Sequence, residues 1–209
     1  MIIGVCGLIG SGKDTTADCL VNIFQFRRDS FAASLKDAVA AVFGWDRELL
    51  EGRTRRSREW REEVDAWWAA RLNIPHLTPR WVLQNWGTEV LRRGFHEDIW
   101  VASIENKLRQ TQDDVVLSDC RFPNEVAALR RSGGYVIRIV RGPDPEWFGT
   151  AAYDPDLMPQ RYPEVHASEW AWAATEFDRT IYNNGTLDEL YDRINGLVRD
   201  LRHAREDRS

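Results

Sequence analysis

The sequence predicts an α/β fold in which helices surround a mostly parallel sheet. Three observations carry that expectation. Short apolar runs at Met1–Cys6, Val115–Leu117 and Tyr135–Val140 read as buried strands. Stretches of helical period separate them, the alternation expected of a parallel sheet. The first run passes directly into a glycine-rich turn that opens a helix.

Each element has a local reason. Met1–Cys6 is apolar and stops at Gly7. From Thr15 onward, Ala17, Leu20, Val21 and Phe24 form one helical face. Leu35, Ala38, Val39 and Val42 repeat it, and Gly44 supplies a stop. Arg47–Arg71 is polar and arginine-rich, with Trp60, Trp67 and Trp68 embedded; it reads as helix, though not as a core helix. Thr78-Pro79 starts a helix running to about Arg93, because proline is tolerated in a first turn. A further helix spans Ile99–Leu108.

Val115–Leu117 leads to Asp119, Pro123–Arg131 reads as helix, and Gly133-Gly134 turns the chain into the strand Tyr135–Val140. Arg141–Trp170 holds five of the eight prolines and shows no period, so it is expected to be a functional or disordered loop. Thr180–Tyr182 is a last short strand. Thr186 then caps a helix with Leu187, Leu190, Tyr191, Ile194, Leu197, Val198 and Leu201 on one face. One domain is expected over residues 1–203, with a frayed tail at 204–209.

Bulk composition narrows the function classes. The 209 residues are 43% hydrophobic and 29% charged, an ordinary globular balance. A formal net charge of -5 argues against stable nucleic-acid binding. Ten tryptophans point mainly to core or interface positions. Cys6, Cys19 and Cys120 match no metal or redox spacing and fit a reducing setting. The N-terminus lacks the basic region and cleavage site of a signal peptide, and no stretch reaches the apolar length of a membrane span. A soluble, cytoplasmic protein is expected.

The segment Gly7-Leu-Ile-Gly-Ser-Gly-Lys-Asp-Thr-Thr16 satisfies most of G-x-x-x-x-G-K-[ST]. Glycines allow the turns that aim successive backbone N–H groups at phosphate oxygens, and the following helix adds its dipole. Gly10, Ser11, Gly12, Lys13, Asp14, Thr15 and Thr16 are the expected ATP-phosphate site, with Lys13 between the β- and γ-phosphates. Asp14 stands where Ser or Thr is usual. Facing the phosphates it would repel them, so it is expected to point away and to leave the hydroxyl role to Thr15. Asp119, at a strand's carboxyl end, is the candidate to organise Mg²⁺ or to accept a proton. Thr15 and Asp119 are therefore the expected metal contacts, directly or through water.

Further blocks follow in order: Leu35-Lys-Asp-Ala38; Thr78-Pro-Arg80 with Gln84 and Gly87-Thr-Glu89; Ile99-Trp-Val101; Ser118-Asp-Cys-Arg-Phe-Pro-Asn-Glu125; His166-Ala-Ser-Glu169; and Asn183-Asn-Gly-Thr-Leu-Asp-Glu-Leu190. With Gly10–Asp18 they span most of the chain, and together they resemble the phage-type deoxynucleoside monophosphate kinases. Arg47–Arg71 and Arg141–Val165 match only loosely. The resemblance implies a three-layer P-loop kinase fold with a helical acceptor-binding arm at about 35–78 and a lid at about 141–170. It implies ATP with Mg²⁺ as phosphoryl donor, a deoxynucleoside monophosphate as acceptor, and a homodimer.

Within those blocks Arg80 and Gln84 lie four apart on one helix face, so an arginine can hold the acceptor phosphate while an amide reads a base edge. Arg121 is a candidate phosphate anchor; its competing reading is a surface ion pair with Glu125. Lys36 is a weaker candidate for the acceptor phosphate. Phe31 and Trp100 are candidates to stack on the base, although the core is the favoured place for either. Arg141, and after it Arg161, are candidates to reach the transferring phosphoryl group from the lid. His166 is read equally as a structural residue of the lid or as a nucleotide contact. Asn183 and Asn184 are candidates for adenine, against a plain Asn-Gly turn.

Arg53, Arg55, Arg56, Arg58 and Arg61 interleave with Glu59, Glu62, Glu63 and Asp65. The spacings Arg58–Glu62 and Arg61–Asp65 fit i,i+4 pairs on a solvated helix. Two other functions fit the same loop: a different small-molecule kinase such as dephospho-coenzyme A kinase, and a P-loop ATPase acting as a switch on DNA.

Overall fold

The computed structural model describes residues 1–206, with side chains through Ala204. Strand β1 (Ile2–Cys6) leads through the glycine loop into α1 (Lys13–Phe24), and β2 (Arg27–Asp29) follows. Then come six helices: α2 (Ala33–Phe43), α3 (Arg47–Glu51), α4 (Arg55–Glu62), α5 (Ala66–Leu72), α6 (Pro79–Gln84) and α7 (Ile99–Leu108). The chain continues through β3 (Val115–Leu117), α8 (Pro123–Arg131) and β4 (Tyr135–Val140). Three short helices follow, α9 (Phe148–Tyr153), α10 (Met158–Arg161) and α11 (Ala167–Trp170), and then β5 (Arg179–Tyr182) and α12 (Leu187–Glu206).

These elements divide into two compact units. One joins Met1–Ser30 to Glu105–Ser209; the other is Phe31–Ile104. The acceptor arm expected at about 35–78 falls within the second.

The first unit holds a five-stranded sheet in the order β2-β3-β1-β4-β5, every pairing parallel. The α/β expectation is thereby met. Ile3, Val5, Ile137 and Ile139 of the sheet pack with Ala17 and Leu20 of α1 and Ile194, Leu197 and Val198 of α12. β2 escapes a reading of apolar runs because its sequence is Arg-Arg-Asp: as an edge strand it needs little burial and only backbone pairing to β3.

Residues 141–170 are not a structureless loop. They form α9, a 3-10 turn at Pro155–Leu157, α10 and α11. Each piece is four to six residues long or shorter, too short to display a helical period. Phe148 is buried here beside Trp172, which follows the segment, and the Arg138 guanidinium lies 4.0 Å from the Phe148 ring centroid. The terminal helix continues to Glu206, past the expected fraying point at 203, and the rest of the expected tail lies outside the described residues.

The second unit is all helix. Its core combines Leu35, Val39, Leu50, Leu77, Val82 and Trp100 with the partly buried Trp45, Trp60, Trp68, Trp81 and Trp86. Six of the ten tryptophans are thus used where short helices offer little aliphatic area, and Phe43 stacks on Trp45 with ring centroids 4.4 Å apart. The arginine-rich stretch is three helices rather than one. Gly52 ends α3 at φ 70°, and the Asp65 carboxylate caps α5 by accepting from Trp67 N and Trp68 N. Asp65 is therefore beyond the end of α4, and the expected Arg61–Asp65 pair is not made. The helix starting at Thr78 has the expected cap, Trp81 N donating to Thr78 Oγ1 at 3.0 Å, but from Asn85 to Arg93 it is a π-helix.

Candidate active site

Parallel pairing brings the carboxyl ends of all five strands to one edge of the sheet. β1 lies between β3 and β4, so the glycine loop after β1 is flanked by the turn after β3 and the segment after β4. That edge is where open α/β sheets bind ligands. Asp119 and Arg121 follow β3, Arg141 follows β4, and Asn183 and Asn184 follow β5.

The loop's glycines answer to space as well as to conformation. Gly7 is at φ 150°, and a Cβ there would be 2.5 Å from Ile139 O. Gly12 is at φ 103°, and a Cβ there would overlap the Asn183 amide. That amide nitrogen donates to Ser11 O at 2.9 Å, and Asn183 is buried. The Asn183 donor thus braces the phosphate loop from behind. Asn184 Oδ1 accepts from Gly142 N at 2.7 Å and ties the start of the 141–170 segment to the turn after β5.

Lys13 folds back over the loop, its ammonium donating to Gly7 O and Leu8 O, both at 2.7 Å. Burial, and after it the positive charge of Arg121, hold its pKa below the usual 10.5. Lys13 and Arg121 therefore share one field. Asp14 is exposed and pairs with Arg28, which also donates to Asp18 at 2.8 Å and to Ser118 Oγ at 2.8 Å. The expected outward orientation has this physical basis: the guanidinium neutralises the carboxylate. Arg28 is a residue that sequence reasoning missed, and an arginine on a polar edge strand carries no signal that would have found it.

The turn after β3 is locked from within. The buried Glu125 carboxylate accepts from Arg121 N at 2.8 Å and Phe122 N at 3.1 Å, the reach of an N3 glutamate back to the start of α8. Glu125 is thus taken up by backbone donors, and the Arg121 guanidinium is exposed rather than paired with it. Asp119 is half-buried just before. Glu125 was noticed only as a partner for Arg121; the proline two residues before it, at the start of a helix, was the available signal.

Other candidates separate into two kinds. Arg141 and Arg161 are exposed. His166 Nδ1 accepts from Ser168 N at 3.2 Å and caps α11. In the second unit Arg80 and Gln84 are both exposed on α6, and Arg80 pairs with Glu62 at 3.0 Å. Lys36 donates to Glu51 at 2.8 Å within the same unit. Trp100 is buried, with Nε1 donating to Gly87 O at 3.0 Å, and Phe31 is buried too. Both aromatics are thus buried, the placement favoured for them.

The donors at the loop suit a magnesium nucleotide. The Ser11 and Thr16 hydroxyls are buried without hydrogen-bond partners, Thr15 is half-exposed, and Asp119 adds a carboxylate nearby in the fold. No cluster of three His, Cys, Asp or Glu able to cage a metal occurs among the described residues. Mg²⁺ in such sites needs only one or two protein oxygens beside substrate phosphates. Among the described residues, no helix is long and apolar enough to cross a membrane.

No protein-family profile matches the chain. A protein of Acanthamoeba polyphaga mimivirus, named as a deoxynucleotide monophosphate kinase, is 30% identical over 211 residues, covering 95% of this chain and 96% of that one. The deoxynucleotide monophosphate kinase of Enterobacteria phage T4 is 22% identical over 255 residues, covering 96% and 99%. Among solved structures, shikimate kinase from Aquifex aeolicus is similar at a TM-score of 0.43 and 12% identity, over 96% of this chain and 97% of that one, and nothing further rests on that likeness. With near-complete coverage at that identity, and a phosphate loop built as the site requires, the chain belongs to the deoxynucleotide monophosphate kinase family and is a phosphotransferase.

Proposed function

We propose that the chain transfers the γ-phosphoryl group of ATP to a deoxynucleoside 5′-monophosphate, giving the diphosphate and ADP. The observation that carries this reading is the placement of Lys13 on the glycine loop within the field of Arg121. Both substrates are anions, and moving a phosphoryl group between them is a matter of positioning and charge neutralisation.

The residues divide that work. Backbone N–H groups of Gly10–Thr16 and the α1 N-terminus receive the donor phosphates. Lys13 exchanges the Gly7 and Leu8 carbonyls for phosphate oxygens. Arg121 holds the phosphates from the β3 side, and Arg141 reaches the transferring group from the lid. Thr15 and Asp119 would hold Mg²⁺, directly or through water, and the ion would supply charge neutralisation at the phosphates. An acceptor phosphate, with a second pKa of about 6, brings a deprotonated oxygen at neutral pH. Asp119 then has no proton to remove, and its role is in the metal shell. Arg80 and Gln84 hold the acceptor, Arg80 at the phosphate and Gln84 at the base.

An acceptor panel with ATP and Mg²⁺ tests this, comparing the four common dNMPs, the ribonucleotides and dephospho-coenzyme A by product chromatography. At least one dNMP should yield its diphosphate. Phosphorylation of another acceptor with none of the dNMPs would overturn the proposal. Lys13→Ala should lose roughly 10³-fold or more in turnover; near-normal diphosphate formation would remove Lys13 from the site.

A further inference from the structure

Arg28 makes more contacts than its place on an edge strand requires. Strand β2 is held to β3 by backbone pairing, with Arg28 opposite Val116. That ladder uses no side chain. Yet both terminal nitrogens of the guanidinium are engaged: Nη1 donates to Asp18 at 2.8 Å, and Nη2 donates to Asp14 and, at 2.8 Å, to Ser118 Oγ. The Arg28 side chain is only 16% exposed, whereas those of Asp14 and Asp18 are 81% and 60% exposed. An ordinary surface ion pair leaves both partners solvated. Here the cation is covered.

The three partners come from two parts of the site. Asp14 and Asp18 are four apart on α1 and share one helix face, and Asp14 directly follows Lys13. Ser118 follows β3 and directly precedes Asp119. One planar fork therefore ties the helix that receives the donor phosphates to the turn that presents Asp119 and Arg121. Glu125 locks the far end of that turn through the backbone of Arg121 and Phe122, and Arg28 holds the near end.

The electrostatics point the same way. Asp14 stands where a neutral hydroxyl residue is usual, so the loop carries a carboxylate that opposes its own ligand. A charge beside bound phosphates is felt unless another cancels it. Lysine, a point charge on a flexible stem, would cancel it without meeting three acceptors from one fixed plane.

We propose that Arg28 is a positioning residue of phosphoryl transfer. It cancels the Asp14 charge at the donor-phosphate loop and, through Ser118, fixes the turn bearing Asp119. It acts through these neighbours and not on either substrate. The role in turnover rests on the reaction proposed above; the role at the loop requires only that ATP binds there.

Two measurements on the full chain test this. Calorimetric titration with ATP and Mg²⁺, without acceptor, reads the loop. Arg28→Gln should weaken ATP binding about 10-fold, the order expected when a charge near another loses its compensation. The defect should shrink as salt rises, because Asp14 is exposed. Asp14→Asn added to Arg28→Gln should bring the affinity to within about threefold of Asp14→Asn alone. Packing damage would show neither the rescue nor the salt dependence. Steady-state kinetics with the best dNMP reads the turn. Ser118→Ala should lower kcat about 3- to 10-fold, the contribution of one hydrogen bond, with the KM for ATP within about twofold of wild type. An ATP affinity of Arg28→Gln within about twofold of wild type, or a defect that Asp14→Asn does not relieve, overturns the role at the loop. Wild-type kcat in Ser118→Ala overturns the role at the turn. If Arg28→Gln does not fold, Arg28→Lys decides: it should keep wild-type ATP affinity and show the kcat loss of Ser118→Ala, and the reverse pattern overturns the proposal. A wild type inactive on every dNMP refutes the reaction and the role in turnover with it, and the calorimetry still decides the role at the loop.

Discussion

Asn183→Ala separates two roles that predict opposite patterns. As a brace, the Asn183 amide satisfies Ser11 O at 2.9 Å in a buried setting, directly behind Gly12. Truncation removes that bond, leaves a buried carbonyl without a donor and opens space behind the loop. Leaving a buried polar group unsatisfied costs about 1–3 kcal/mol. In a chain of this size each kcal/mol moves the unfolding midpoint by about 2–4 °C, so a fall of about 2–12 °C is expected. The loop also loses its backing, and the KM for ATP should rise without discrimination between purines. Thermal unfolding followed by circular dichroism gives the first quantity, and phosphoryl transfer from ATP and from GTP gives the second. An adenine contact would do the reverse: ATP would lose its advantage over GTP while the midpoint stayed within about 1 °C, on the same scale. That result would refute the bracing role.

Other outcomes follow from the same geometry. Burial and Arg121 lower the Lys13 pKa, and Lys13 must be protonated to hold phosphate; the alkaline limb of kcat/KM for ATP should therefore begin below 10.5 and move to higher pH in Arg121→Ala. A limb that does not move would uncouple the two residues. Glu125→Ala removes the acceptor for two backbone N–H groups at the Asp119–Arg121 turn, and should cost about 3 kcal/mol in stability and lower kcat more than it raises the KM for ATP. Wild-type turnover in that variant would show that the turn needs no such lock. Burial alone would raise the Glu51 pKa, but hydrogen bonds from Lys36 and Arg47 outweigh it and hold the group at about 2, below the usual 4.5. A depressed carboxylate stabilises the fold above its unfolded pKa and loses that contribution as pH falls through the folded one. The stability advantage of wild type over Glu51→Gln, on the order of 1–3 kcal/mol near neutrality, should therefore narrow between about pH 5 and pH 2; a gap independent of pH would contradict the pairing.

The amino-acid sequence by itself determined the elements that depend on neighbours along the chain. Strand β1, the glycine loop, α8 between Pro123 and Arg131, β4 and the capped terminal helix are all legible because burial, φ preference and capping act over a few residues. The outward placement of Asp14 is expected from the phosphates it would otherwise repel, although its partner Arg28 is a tertiary contact. What only the tertiary structure decided is which polar groups find partners, since these contacts join residues far apart in sequence. Asn183 reaches Ser11 across 172 positions, and Arg28 reaches Ser118 across 90. Lys36 pairs with Glu51, Trp100 is buried in the core, and the expected Arg61–Asp65 pair fails because α4 ends before Asp65. Periodicity assigns a residue to a face of its own element. Whether an arginine there meets a carboxylate, a backbone carbonyl or neither depends on the geometry between elements, which folding alone fixes.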